Sequence, residues 1–152
     1  MTTDRLIYTI TEKGIQYIED KIPIPNCKGL YFDNIIVVDS HIETQGEKRC
    51  ILAEELGHYE TSSGQILDDA ISSRQQEKKA RNWAYEYLIK PESLLKAYEK
   101  GYRNRYEIAD YLDVTESFLE ETLAHYAEKY GPYMELQGYL LYFQPLGVMR
   151  VL

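Results

Sequence analysis

Three ionisable side chains fall together inside an otherwise apolar stretch, Cys50-Ile51-Leu52-Ala53-Glu54-Glu55-Leu56-Gly57-His58-Tyr59. Glu54 and His58 are four residues apart, a spacing that puts both on one face of a helix. Glu55 lies three residues before His58, beside that face. The apolar neighbours predict a substantially buried helix, and a buried carboxylate without a partner either protonates or acquires one. A bound cation is an efficient partner for such a set.

Two ligands four residues apart, with a Glu between them, is how the helical pattern His-Glu-x-x-His holds zinc and activates water. His58 matches the second ligand and Glu55 the base. Glu54 stands in the first ligand position, where a carboxylate oxygen can also bind zinc. A third ligand must come from elsewhere. Glu77 is the first candidate, because it shares a helical stripe with Ala80, Ala84 and Leu88. Asp68 and Asp69 are weaker alternatives, and Gly64 does not complete the longer metzincin pattern because no His follows at the required spacing. The competing interpretation is structural: acidic pairs on helices are most often solvated faces, and His58 would then be a satisfied core histidine. His41 and His125 read as surface or packing residues, and Tyr59 as a packing residue that could also reach a tetrahedral intermediate.

The elements that must position these residues are legible in outline. Ile15, Ile18 and Ile22 recur at helical spacing, which predicts a short helix over Thr11 to Ile22, ended by Pro23 and Pro25. Gly29 to Phe32, then Asp33-Asn34, then Ile35 to Val38 predicts a hairpin with a two-residue turn. Thr44-Gln45-Gly46-Glu47 matches a capping box, so the apolar helix should start near Gln45 and run to Tyr59 or Glu60. Ser73-Arg74-Gln75-Gln76 offers a second helix start, followed by the stripe Ala80, Trp83, Ala84, Tyr87 and Leu88. Further helices are expected over Glu92 to Glu99, Tyr106 to Leu112 and Thr115 to Tyr126. Tyr133 to Leu136, Gln137-Gly138 and Tyr139 to Phe143 form a second predicted hairpin. The expected fold class is α+β: a small antiparallel sheet packed on a helical core, with a C-terminal helical pair and hairpin.

Length and charge limit the function classes. The 152 residues, 44% hydrophobic and 28% charged, suit one domain over residues 1–152 with a real core. A net charge of -8 opposes nonspecific binding to nucleic acid or anionic membranes. No apolar run reaches the roughly 20 residues of a membrane helix, and Met1 to Arg5 shows no signal-peptide pattern, so a cytoplasmic location is expected. Cys27 and Cys50 fit reduced thiols there. Fifteen tyrosines against three phenylalanines read as amphipathic packing rings rather than a stacking platform.

These features resemble the ImmA/IrrE-type metallopeptidase family of phages and integrative elements. The resemblance runs through the hairpin over Gly29 to Val38, Leu52-Ala53-Glu54-Glu55-Leu56-Gly57-His58, and Glu77-x-x-Ala80-x-x-Trp83-Ala84. It continues into Leu88-Ile89-Lys90-Pro91 and Val114-Thr115-Glu116-Ser117-Phe118-Leu119. It implies a zincin-like active-site helix, one zinc ion held by two residues of that helix and a downstream Glu, and a Glu as base. Carried over, His58 and Glu77 are ligands, Glu54 occupies the position of the usual His, and Glu55 is the base. The implied substrate is a protein, such as a helix-turn-helix repressor.

Ile108-Ala109-x-x-Leu112-x-Val114-Thr115-x-x-x-Leu119 itself reads like a helix-turn-helix. A DNA-reading second helix offers basic or amide groups to phosphates and bases, whereas Thr115 to His125 carries Glu116, Glu120 and Glu121 and no Lys or Arg. The segment therefore reads as a packing unit or a protein-binding surface. A titration of duplex DNA at rising salt should show no sequence-selective binding that survives physiological ionic strength; tight selective binding there would contradict this reading.

Overall fold

The computed structural model describes residues 1–62 and 70–151. The candidate residues Gly64, Asp68 and Asp69 lie outside the described residues. The chain divides into two compact units, Met1–Ala84 and Tyr85–Leu152.

The first unit opens with helix α1 (Thr3–Glu12), capped by the Thr2 hydroxyl, which accepts from the Arg5 amide. Gly14, at φ +82°, turns the chain out of the helix, and strand β1 (Gln16–Asp20) follows. The helix expected over Thr11 to Ile22 is thus replaced by the end of α1, a turn and a strand. Ile15 and Ile22 are buried as their apolar character demands, but they flank β1 instead of lining a helix. Pairing of β1 with a strand almost twenty residues away overrides the local spacing.

Strand β2 (Gly29–Phe32) and strand β3 (Ile35–Asp39) form the expected hairpin, with Phe32 opposite Ile35. Asp33 and Asn34 have φ of 47° and 59°, the left-handed values that a type I′ turn requires at both central positions. Strand β3 lies in the middle, antiparallel to β2 and parallel to β1. Its buried side chains are Ile36 and Val38, so one face is covered. Helix α2 (Gln45–Thr61) packs on α1, β2 and β3. The Thr44 hydroxyl accepts from the Glu47 amide at its start, one half of the expected capping box, while the Glu47 carboxylate accepts from Lys28. Leu6, Ile10, Ile36, Val38, Leu52, Ala53 and Leu56, all fully buried, form the core.

Helix α3 (Ala70–Leu88) begins before Ser73, so the second capping-box match lies inside a helix already under way. It passes very close to α2. A Cβ on Gly57 would stand 2.3 Å from the Ala80 carbonyl oxygen, too close for any side chain.

In the second unit, Pro91 opens helix α4 (Pro91–Glu99), where no amide is needed. Helices α5 (Arg105–Leu112) and α6 (Glu116–Tyr130) are joined through Asp113 at φ 57°. Strands β4 (Tyr133–Leu136), β5 (Tyr139–Phe143) and β6 (Leu146–Arg150) form an antiparallel meander. The predicted hairpin is β4–β5, and β6 adds a third strand. The buried Tyr126 hydroxyl donates to the Ile89 carbonyl at 2.5 Å, and its ring lies against Phe143. The Tyr85 hydroxyl donates to Glu121. Two of the many tyrosines are therefore core rings with a satisfied polar tip.

Gly57→Ala tests the close passage of α2 and α3. Alanine is the better helix former by about 1 kcal/mol, so a solvent-facing site would gain stability. Here the added methyl meets backbone, and the variant should instead lose roughly 1–3 kcal/mol in urea unfolding.

Candidate active site

The site is built where α2 meets α3. His58 and Glu77 come into direct contact: His58 Nε2 lies 3.2 Å from Glu77 Oε1. Gly57 is what lets the helices approach, since His58 follows it on α2 and Glu77 sits one turn before its contact residue Ala80. His58 is largely covered, while Glu77 reaches in from a more exposed position.

Both partners record the contact in their proton affinities. The bond to Glu77 raises the His58 pKa above 6.5, against burial, with the charges of Glu77, Glu55 and Glu54 adding to it. The same bond holds the Glu77 carboxyl below 4.5, with burial opposing and the His58 and Arg81 charges assisting. Without a metal, a proton on His58 thus supplies the positive charge that this corner requires.

Glu55 behaves differently. Burial pushes its pKa from 4.5 up to about 7, with His58 opposing and the charges of Glu54 and Glu77 adding. A carboxyl poised near neutrality can take and return a proton at working pH, which is what general-base chemistry asks of it. Glu54 acts on both Glu55 and His58 through its charge. Among the described residues, no three His, Cys, Asp or Glu side chains converge as a preformed cage for a metal ion. His58 and Glu77 do meet the donor geometry for two positions: two ligand atoms about 2.0–2.1 Å from a tetrahedral zinc lie roughly 3.3 Å apart.

The remaining sequence candidates fall elsewhere. His41 is exposed and bonded to Asp39. His125 is a packing residue within the second unit, between the rings of Tyr85 and Tyr126 and near Glu86. Tyr59 stands edge-on to Tyr31, with ring centroids 6.1 Å apart. Sequence reasoning passed over two glycines that shape the site. One is Gly57. The other is Gly29 in β2, where a Cβ would come within 3.0 Å of Glu55 Oε1. The available signal was the occurrence of glycine inside a helix and inside a strand, which often marks close approach.

The pKa shifts set the pH dependence of the metal-free protein. Glu55, with a folded pKa above its unfolded value, costs stability that is absent below pH 4.5 and fully developed above about pH 7. The raised His58 pKa contributes stability that is present below about pH 6.5 and lost as pH rises through its folded value. The lowered Glu77 pKa contributes stability present above pH 4.5 and lost on acidification below it. Between pH 5 and pH 8 the first two effects both erode stability. Glu55→Gln should remove the Glu55 part, and the variant should be the more stable protein at pH 8 by on the order of 1–3 kcal/mol. Urea unfolding at pH 5 and pH 8 measures it; parallel profiles for the two proteins would mean that Glu55 titrates normally.

Residues 10–124, most of the chain and the whole α2–α3 site, match the IrrE N-terminal-like domain, a peptidase family. No curated protein matches the chain. No helix among the described residues is long and apolar enough to cross a membrane. A peptidase domain implies a protein substrate, and the family's chemistry implies a zinc cofactor. The chain belongs to the IrrE N-terminal-like family and is a zincin-like metallopeptidase-type domain.

Proposed function

We propose that this domain is a zinc-dependent endopeptidase that cleaves a protein regulator, by family resemblance a helix-turn-helix repressor of a phage or mobile element. The observation that carries the reading is the contact of His58 on α2 with Glu77 on α3, beside a half-buried Glu55 with a pKa near neutrality. His58 and Glu77, with Glu54 one turn before His58, would hold the ion. When bound, zinc supplies polarisation of the scissile carbonyl and a lowered pKa for its water.

Glu55 takes the proton of the attacking water and delivers it to the leaving amine. Its burial supports this role, because the carboxyl is basic enough to accept the proton and acidic enough to return it. Strand β2 lies at the edge of its sheet, and its unpaired side can align an extended peptide as an added strand.

Glu54 supports a second reading, in which the same fold binds its protein partner without cutting it. A carboxylate in place of the usual imidazole adds negative charge to the ligand set, which makes a bound ion a weaker Lewis acid. Zinc titration calorimetry, followed by hydrolysis assays on a panel of helix-turn-helix repressors, separates the two. On the peptidase reading the wild type binds zinc and cuts. Glu55→Gln keeps the zinc and loses roughly 10²–10⁴ in rate. Glu54→His binds zinc more tightly and works at lower pH. Failure of the wild-type protein to bind zinc would leave the binding-domain reading. Equal zinc affinity of wild type and Glu54→His would remove Glu54 from the ligand set.

A further inference from the structure

We propose that Gly29 is a positioning residue for Glu55: the side chain missing from strand β2 is the space in which the Glu55 carboxylate is held. The inference rests on the reading of Glu55 as the general base and deepens it.

A Cβ at position 29 would stand 2.5 Å from Ile51 Cγ2, 3.0 Å from Glu55 Oε1 and 3.2 Å from Glu55 Cγ. Backbone conformation does not require the glycine. Gly29 lies in a regular antiparallel ladder opposite Val38, outside the left-handed region, and any residue could adopt its dihedrals. What is used is the absence of the side chain.

The placement belongs to a register. Successive side chains of a strand alternate, so Gly29 and Tyr31 face the same way. Gly29 meets Ile51 and Glu55, and Tyr31 meets Tyr59. Ile51, Glu55 and Tyr59 are spaced by four along α2 and form one stripe. Strand β2 therefore runs along that stripe, its glycine over the carboxylate and its tyrosine over the next turn. The two-residue turn at Asp33-Asn34 fixes the β2–β3 register. The Cys27 thiol, donating to the Gly29 carbonyl at 3.3 Å, ties down the entry to β2. Strand β2 in this way passes Glu55 with no side chain at position 29 to fill the space the carboxylate occupies.

A methyl group at position 29 must move Ile51, and Glu55 must give by a few tenths of an ångström. A displacement of about 1 Å at a reacting group can cost roughly a hundredfold in rate, so a shift of a few tenths costs roughly 3- to 10-fold. Gly29→Ala alone confounds two contacts, so the decisive variant is Gly29→Ala combined with Ile51→Ala. The second change removes the 2.5 Å clash and leaves Glu55 as the nearest neighbour. Ile51→Ala is the control for the lost methyls.

Three readouts are needed: the position and contacts of the Glu55 side chain in crystal structures of the wild type and the variants, zinc affinity by competition with a chromogenic chelator, and the pH profile of single-turnover repressor cleavage. Relative to Ile51→Ala, the double variant should keep its zinc affinity. It should show a shifted Glu55 carboxylate, cleave roughly 3- to 10-fold more slowly and show a shifted acidic limb. If it matches Ile51→Ala in contacts, rate and pH profile, the positioning role is wrong and the base assignment of Glu55 stands untouched. If the wild type cleaves nothing while the double variant still displaces Glu55, the positioning stands and the peptidase reading fails. Unchanged Glu55 contacts in the double variant overturn the inference whether or not the wild type cleaves.

Discussion

The negative charge gathered where α2 passes α3 governs the rest of the site. Glu54, Glu55 and Glu77 each act on His58 through their charge, and Arg81 acts on Glu77 in addition. At an effective dielectric constant of about 20, two unit charges 4 Å apart interact by about 4 kcal/mol, so carboxylates gathered in this way favour a positive charge among them. The upward shifts have different first causes, burial for Glu55 and the bond to Glu77 for His58, and the carboxylate charges add to both. A divalent ion supplies the same charge more completely. Its binding should therefore release protons, which couples metal affinity to pH.

Holding that charge in place requires backbone to approach α2 from two sides. Gly57 admits the Ala80 carbonyl of α3, and Gly29 lets strand β2 lie over Glu55. Glycine inside a helix costs about 1 kcal/mol against alanine, and glycine inside a strand forgoes a packing side chain. Both costs are local. What they secure is long-range: the first brings Glu77 to His58 and the second covers Glu55. The site thus depends on two absent side chains as much as on four present ones.

This explains which parts of the structure could be read from sequence. The β2–β3 turn was legible because Asp33-Asn34 tolerates left-handed dihedrals, and α2 because Thr44 and Glu47 mark its start with a specific hydrogen bond. Both are local signals. The segment over Thr11 to Ile22 misled because isoleucines at intervals of three and four suit one face of a helix, yet β1 is stabilised by a parallel pairing that no local spacing encodes. Ser73 shows the opposite limit: a good cap pattern has no effect inside a helix that begins earlier. Strand β6 was not among the expected elements, which ended with the hairpin at Phe143. In the site, residue types and the four-residue spacing pointed to His58, Glu55 and Glu54. The meeting of His58 with Glu77 is a contact between separate helices, and the function of the glycines is visible only as space.

Glu54 is the departure that gives this domain its own character, and its effects run in opposite directions. As a ligand in place of an imidazole, a carboxylate places more negative charge on the ion and makes the bound water harder to ionise. As a neighbour of Glu55, the same carboxylate raises the proton affinity of the base. A weaker Lewis acid and a stronger base compensate each other in the step that both serve, the removal of a proton from water. The chemistry would then lean more on Glu55 than it does in a site with two imidazoles. A base that carries more of the reaction must also be held more strictly, and β2 passes so near that a Cβ at position 29 would stand 3.0 Å from Glu55 Oε1. On the proposed peptidase reading, Glu54 and the glycine at position 29 are one arrangement: the first would shift the burden to Glu55, and the second would keep Glu55 where it can bear it.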